Sequence, residues 1–199
     1  MNIGRLIKLF TAPRDYWNEV LTEPGDIKSQ LLPQMLILAA IPALSSFLGQ
    51  LFAFMRFGLG GKVLVGTIIG LVLSYAFSIG LWILMGVIIN ALAPSFGGQK
   101  DFDQAMKLAT GAVIPMWLGN VLSITTIGIL GMLGGLAGLG YGAYLLYLGM
   151  PVLNGTPQDK TVGYIAATIG IMLVASIILA IIAGCPVGCL MASAMMRPY

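Results

Sequence analysis

Five carboxylates offer the clearest opening for chemistry in this chain. Asp15, Glu19 and Glu23 are four residues apart, so a helix would place them on one face. Asp101 and Asp103 sit in a polar loop that a five-span topology brings to the same side of the membrane. Hard oxygen ligands clustered in this way suit a divalent metal cation or a basic segment of a partner. The competing expectation is a solvated helix face plus a helix cap, because the spacing prescribes no coordination geometry.

Other reactive residue types are scarce. The chain has no histidine, which removes the commonest general base and the commonest metal ligand. Cys185 and Cys189 are four apart on one helix face. Two thiols do not make a zinc site, and that geometry is poor for a disulfide, so they read as small packing residues. Leu139-Gly-Tyr-Gly142 shares glycines and a tyrosine with potassium-channel filters, but no Thr-Val and no pore helix precede it. Asn90, Asn120, Ser74, Ser78 and Thr110 fall at or near membrane depth. They could line a polar path beside kinks at Pro42, Pro115 and Pro186, or bond to neighbouring helices and their own backbone. No residue set combines an acid, a base and a nucleophile, so neither an enzyme nor a bound cofactor is expected. The thin net charge of +3 is a topology signal and implies no nucleic acid.

The elements that position these residues are membrane helices. Of 199 residues, 58% are hydrophobic and 9% charged, against about a quarter charged in a soluble domain. Five apolar segments follow, at approximately 31–55, 63–93, 104–126, 128–151 and 162–191. The fold class is therefore all-α, a bundle of five transmembrane helices. A separate N-terminal segment, residues 1–30, precedes the membrane domain of residues 31–199. In it, Ile3, Leu6, Ile7 and Phe10 recur at helical spacing opposite Arg5 and Lys8, which predicts an amphipathic surface helix. Thr11 is placed to cap a second helix with Pro13 in its first turn, and Pro24-Gly25 ends it. No cleavable leader is visible, so the first span is expected to act as an uncleaved anchor. Asp101 or Asp103 caps the third span.

Two rows of small residues stand out. Gly134, Gly138 and Gly142 recur every four residues in the fourth span, and Gly131 pairs with Gly135 in the same way. Gly66, Gly70, Ser74 and Ser78 form the second row. Each clears a groove in which another helix can approach closely, within the chain or in a homo-oligomer. Basic residues set the orientation. Arg5, Lys8, Arg14, Lys28, Lys100, Lys107 and Lys160 fall on the side of the N-terminus, and Arg56, Lys62 and Arg197 on the other. The positive-inside rule places the N-terminus in the cytoplasm and the C-terminus outside.

Gly142-Ala-Tyr144-Leu-Leu-Tyr147-Leu-Gly149-Met-Pro151 resembles a motif of the Ypt-interacting-protein (Yip) domain family of five-span membrane proteins. Pro13-x-x-x-Trp17 with Glu23-Pro24 resembles the family's lead-in. Ala39-Ala-Ile-Pro42 resembles its first span, and Asp103-x-Ala105 leading to Pro115 its third. The resemblance implies five spans, a cytoplasmic N-terminus and oligomerisation. Eukaryotic relatives are associated with Rab-type GTPases and vesicle traffic, through a long N-terminal region and an Asp-Leu-Tyr-Gly-Pro motif. This chain has only Glu23-Pro24-Gly25 there, so it looks like the compact bacterial members of an inner membrane. The resulting expectation is a non-catalytic protein that organises membrane or recruits a cytoplasmic protein partner. The alternative is a small oligomeric channel or transporter.

Overall fold

The computed structural model describes residues 3–22, 31–57, 62–125 and 127–196. Among them the chain is all-α, with no strands. Two short helices, α1 (Ile3–Thr11) and α2 (Pro13–Thr22), lead into the bundle. Pro13 opens α2, where its missing N–H costs nothing. Thr11 does not cap α2 as its position suggested. Its hydroxyl donates back to Ile7 O at 3.0 Å and so closes α1.

Five stretches are long and apolar enough to cross a membrane: Leu32–Ala53, Gly66–Phe96, Phe102–Thr125, Ile129–Leu153 and Gln158–Ile182. The first is two helices, α3 (Leu32–Leu38) and α4 (Ala40–Phe57), broken at Ala39. Pro42 explains the break: it has no N–H for the Leu38 carbonyl, and its ring crowds that turn. The second span is α5 (Lys62–Leu92), which tightens into a 3-10 turn over Ala93–Phe96. Gly97 then takes a left-handed conformation with φ 77°, and Gly98 N–H bonds to Ala93 O at 2.8 Å. A side chain at Gly97 would be strained, so the loop reverses there at a glycine.

Asp101 caps α6 (Phe102–Gly119) by accepting from Gln104 N–H at 3.1 Å. A 3-10 segment over Asn120–Thr125 leads toward α7 (Gly128–Leu153), and α8 (Gln158–Met196) completes the described chain. The buried core gathers toward the end of the bundle that carries α1 and α2. Trp17, Trp82, Met106, Leu145, Met150 and Tyr164 are among its fully buried side chains.

Candidate functional site

The site is built where α1 and α2 meet α6 and α7. Trp17 is completely buried. A methyl added at Gly111 on α6 would lie 2.5 Å from the indole Cη2, and one at Gly149 on α7 would lie 2.7 Å from Cε2. The ring therefore fills a slot that exists because both helices carry glycine there. This contact joins two sequence motifs, Pro13-x-x-x-Trp17 and Gly149-Met-Pro151, that are far apart in the chain. Tyr16 meets the indole edge-on at 5.1 Å between centroids. Burial pushes the Tyr16 hydroxyl from 10.0 up to about 12, with the Arg5 charge opposing.

Two side chains from the spans, Lys107 and Tyr141, hold the pair of short helices down. Lys107 is 4% exposed, and its ammonium donates to Val20 O at 3.0 Å. That carbonyl lies in the last turn of α2, where the helix has no N–H of its own to offer and a cation is favoured. Tyr141 on α7 donates to the end of α1, reaching Leu9 O at 3.1 Å and Phe10 O at 3.3 Å. Its ring stacks on Phe10 at 5.3 Å. Lys8 and Glu19 pair across the elbow between α1 and α2. Both are well exposed, so that pair adds little stability. The outer face of the elbow keeps Ile7, Phe10 and Leu21 exposed.

Among the described residues the carboxylates do not gather. Glu19 is committed to Lys8, and Asp101 to the cap of α6, while Asp15 is exposed on α2. Asp101 and Asp103 interact electrostatically with Lys107. Among the described residues, no three Asp, Glu, Cys or His side chains are placed to hold a metal. Glu23, with Pro24 and Gly25, lies outside the described residues, as do the side chains of Cys185 and Cys189.

Below the slot runs a seam between α6 and α7. A methyl at Gly142 would collide with the Ala112 carbonyl, and one at Gly138 would sit 2.5 Å from Met116 Cα and 2.6 Å from Pro115 O. Gly134 and Gly119 meet carbonyl to backbone, and a methyl at Gly131 would lie 3.3 Å from Ser123 Cα. Each step of about four residues up α7 thus matches a similar step back along α6 and its 3-10 extension. Gly135 faces away, with nothing within 4 Å. Ser123 is wedged from the other side by Gly49 of α4, where an added methyl would lie 2.5 Å from Ser123 O. Pro115 and Pro151 both sit inside their helices. Tyr144 is exposed and tilts against Tyr141 at 5.8 Å, and Tyr147 is half-buried.

The second small-residue row behaves otherwise. A methyl at Gly70 would meet nothing within 4 Å. Ser74 donates to Leu71 O at 3.0 Å and Ser78 to Ser74 O at 2.8 Å, both within α5. Gly66 is half-buried.

A polar node ties the loops together at the same end of the bundle. Buried Tyr164 on α8 donates to Ile89 O, accepts from Asn154 Nδ2 at 3.5 Å and stacks on Phe96 at 5.0 Å. Gln99 N–H bonds to Asn154 O at 2.8 Å. Thr110 accepts from Trp82 Nε1 at 3.0 Å and joins α5 to α6. Sequence reasoning missed Lys107, Gly111, Gly119, Gly49 and Tyr164 as contact residues. Two signals were available: Lys107 lies four residues after Asp103, and Ala112, Gly119 and Ser123 share one helix face at spacings of seven and four.

The Yip1 domain family matches this chain over residues 7–190, from the middle of α1 deep into α8. The chain is a member of the Yip1 domain family. "Inner membrane protein YohC" of Escherichia coli (strain K12) is 26% identical over 177 residues, covering 87% of this chain and 91% of that protein. The protein of the same name from Escherichia coli O6:H1 (strain CFT073) matches equally. No solved structure matches. The Yip1 match takes in the later part of α1 and all of α2 together with the spans.

Proposed function

We propose that this Yip1-domain protein acts without catalysis, organising the membrane or recruiting a partner through the elbow of α1 and α2. The observation that carries this reading is the seating of Trp17 between Gly111 and Gly149. A surface helix on a flexible tether acts on lipid alone. One whose indole is wedged into the span seam couples whatever the elbow binds to the packing of the bundle. Exposed Ile7, Phe10 and Leu21 suit insertion at the level of the lipid headgroups.

The elbow faces the cytoplasm in this reading. The loops around Gly97 and Asn154 lie at one end of the bundle, and the basic residues on the elbow's side outnumber those on the other. The name of the Escherichia coli relative supports a bacterial inner membrane. Residues 1–30 act as the cytoplasmic segment and 31–199 as the membrane domain. Self-association through the α5 row, which is open at Gly70, belongs to the same reading.

Reconstitution into liposomes tests it. Wild-type protein is expected to change vesicle size and shape, seen by electron microscopy, without passing ions or small solutes. Trp17→Ala is expected to abolish the change in shape while the spans stay inserted. Solute flux that is robust and sensitive to substitutions in the bundle would overturn this reading in favour of a channel or transporter.

A further inference from the structure

A cavity of about 290 Å³ lies within the bundle, at the middle depth of the spans. Its walls come from both halves of the molecule: Trp82 and Met85 of α5, Met116 of α6, Ala143 of α7, Met172 and Leu173 of α8. The helices are held together above it by the Trp82–Thr110 bond and the Tyr164 node, and below that level the described side chains of α8 are half-buried or exposed. Thr168 is the last described residue of α8 that is fully buried. Leu173 lines the cavity yet is 52% exposed, so the space opens sideways to the lipid.

The chemistry of the lining selects the occupant. No charged residue contributes to it. Ser78 and Ser176 spend their hydroxyls on Ser74 O and Leu173 O of their own helices, and Trp82 spends its N–H on Thr110. The Asn120 amide and the Trp117 indole also line the cleft, but the rest of the lining is alkyl, thioether and aromatic, whereas a water needs two to four polar partners. The volume is roughly twice the ~150 Å³ of an engineered apolar cavity that binds benzene. Three methionines in the walls provide flexible, polarisable surface that adapts to a chain of variable shape.

We propose that this cleft is a binding site for one acyl chain of a membrane lipid, entering between α7 and α8. It is independent of the elbow and of its coupling to the seam. The chain holds the otherwise loosely packed α8 against the bundle, and its headgroup stays in the bilayer.

The test is photolabelling in liposomes that contain a trace of phosphatidylcholine with a diazirine in its acyl chain, followed by peptide mapping. Label is expected to concentrate on peptides containing Met116 and Met172, well beyond that on the more exposed Ile178, Ile181 and Ile182. Ala143→Phe fills the cleft from α7 and is expected to reduce that label on the order of ten-fold, equivalent to ~1.4 kcal/mol of site affinity, with helix content unchanged. Ser176→Phe blocks the opposite wall and serves if Ala143→Phe does not fold. Label distributed in proportion to surface exposure overturns the proposal, even with wild-type protein alone. So does label that is unaffected by both fillings, or a chain-to-chain crosslink through Leu173 that displaces the lipid.

Discussion

α5 and α7 carry small residues at the same four-residue spacing and use them differently. On α7, Gly134, Gly138 and Gly142 are met by the backbone of α6, and Gly149 by Trp17. On α5, Gly70 meets nothing and two serines bond to their own helix. Such spacing permits close approach without commanding it. In a bilayer there is little hydrophobic force between helices, so van der Waals contact decides, and contact needs a matching surface. α6 and its 3-10 extension supply one, because Ala112, Gly119 and Ser123 retreat in step with the α7 glycines. Among the described residues Gly70 of α5 meets no such surface, whereas Gly86, outside the row, is met by the Met106 side chain.

The comparison can be broken at its strongest point first. Gly138→Leu puts a side chain into the backbone of Met116, which cannot move aside. We expect a cost beyond the ~1–3 kcal/mol of ordinary overpacking, seen as loss of the monodisperse folded protein in detergent. A folded, equally stable variant would mean the seam is not closed by backbone contact. Trp17→Ala empties the slot. Large aromatic-to-alanine changes in cores cost about 3–5 kcal/mol, and here the loss should fall on the elbow. Hydrogen exchange over residues 3–22 is expected to rise sharply while α5 to α8 stay protected.

Smaller effects sharpen the contrast. The Tyr16 hydroxyl has a folded value near 12 and an ordinary value of 10.0. Its neutral form is favoured in the docked elbow, so that contribution is complete below pH 10 and is lost as pH rises through 12. Elbow docking, followed by tryptophan fluorescence, should weaken over that window in wild type, and this component should be absent in Tyr16→Phe, which has no hydroxyl to titrate. Gly70→Leu is the control for the whole comparison. With open space around it, the change should stay within about 0.5 kcal/mol in dilute detergent. A large loss there would show that a second chain covers the α5 row.

Much of the architecture was legible along the chain. Apolar runs long enough to span, Pro13 at a helix start, Asp101 at a cap and the interruption beside Pro42 are local matters. Each follows from hydropathy or from the valence of one backbone group within a few residues. The carboxylates mark the limit of such reading: spacing within one helix is local, but gathering into a metal site is not. Glu19 and Asp101 each found a different partner.

The sequence by itself determined that this protein spans the membrane five times and carries an amphipathic lead-in, because transfer of a helix into lipid depends on its own residues. Only the tertiary structure decided which small-residue row closes, that Trp17 sits between Gly111 and Gly149, and that Lys107 holds the end of α2. Those are properties of pairs of surfaces. In a medium where every helix is already satisfied alone, the shape of the partner selects the contact.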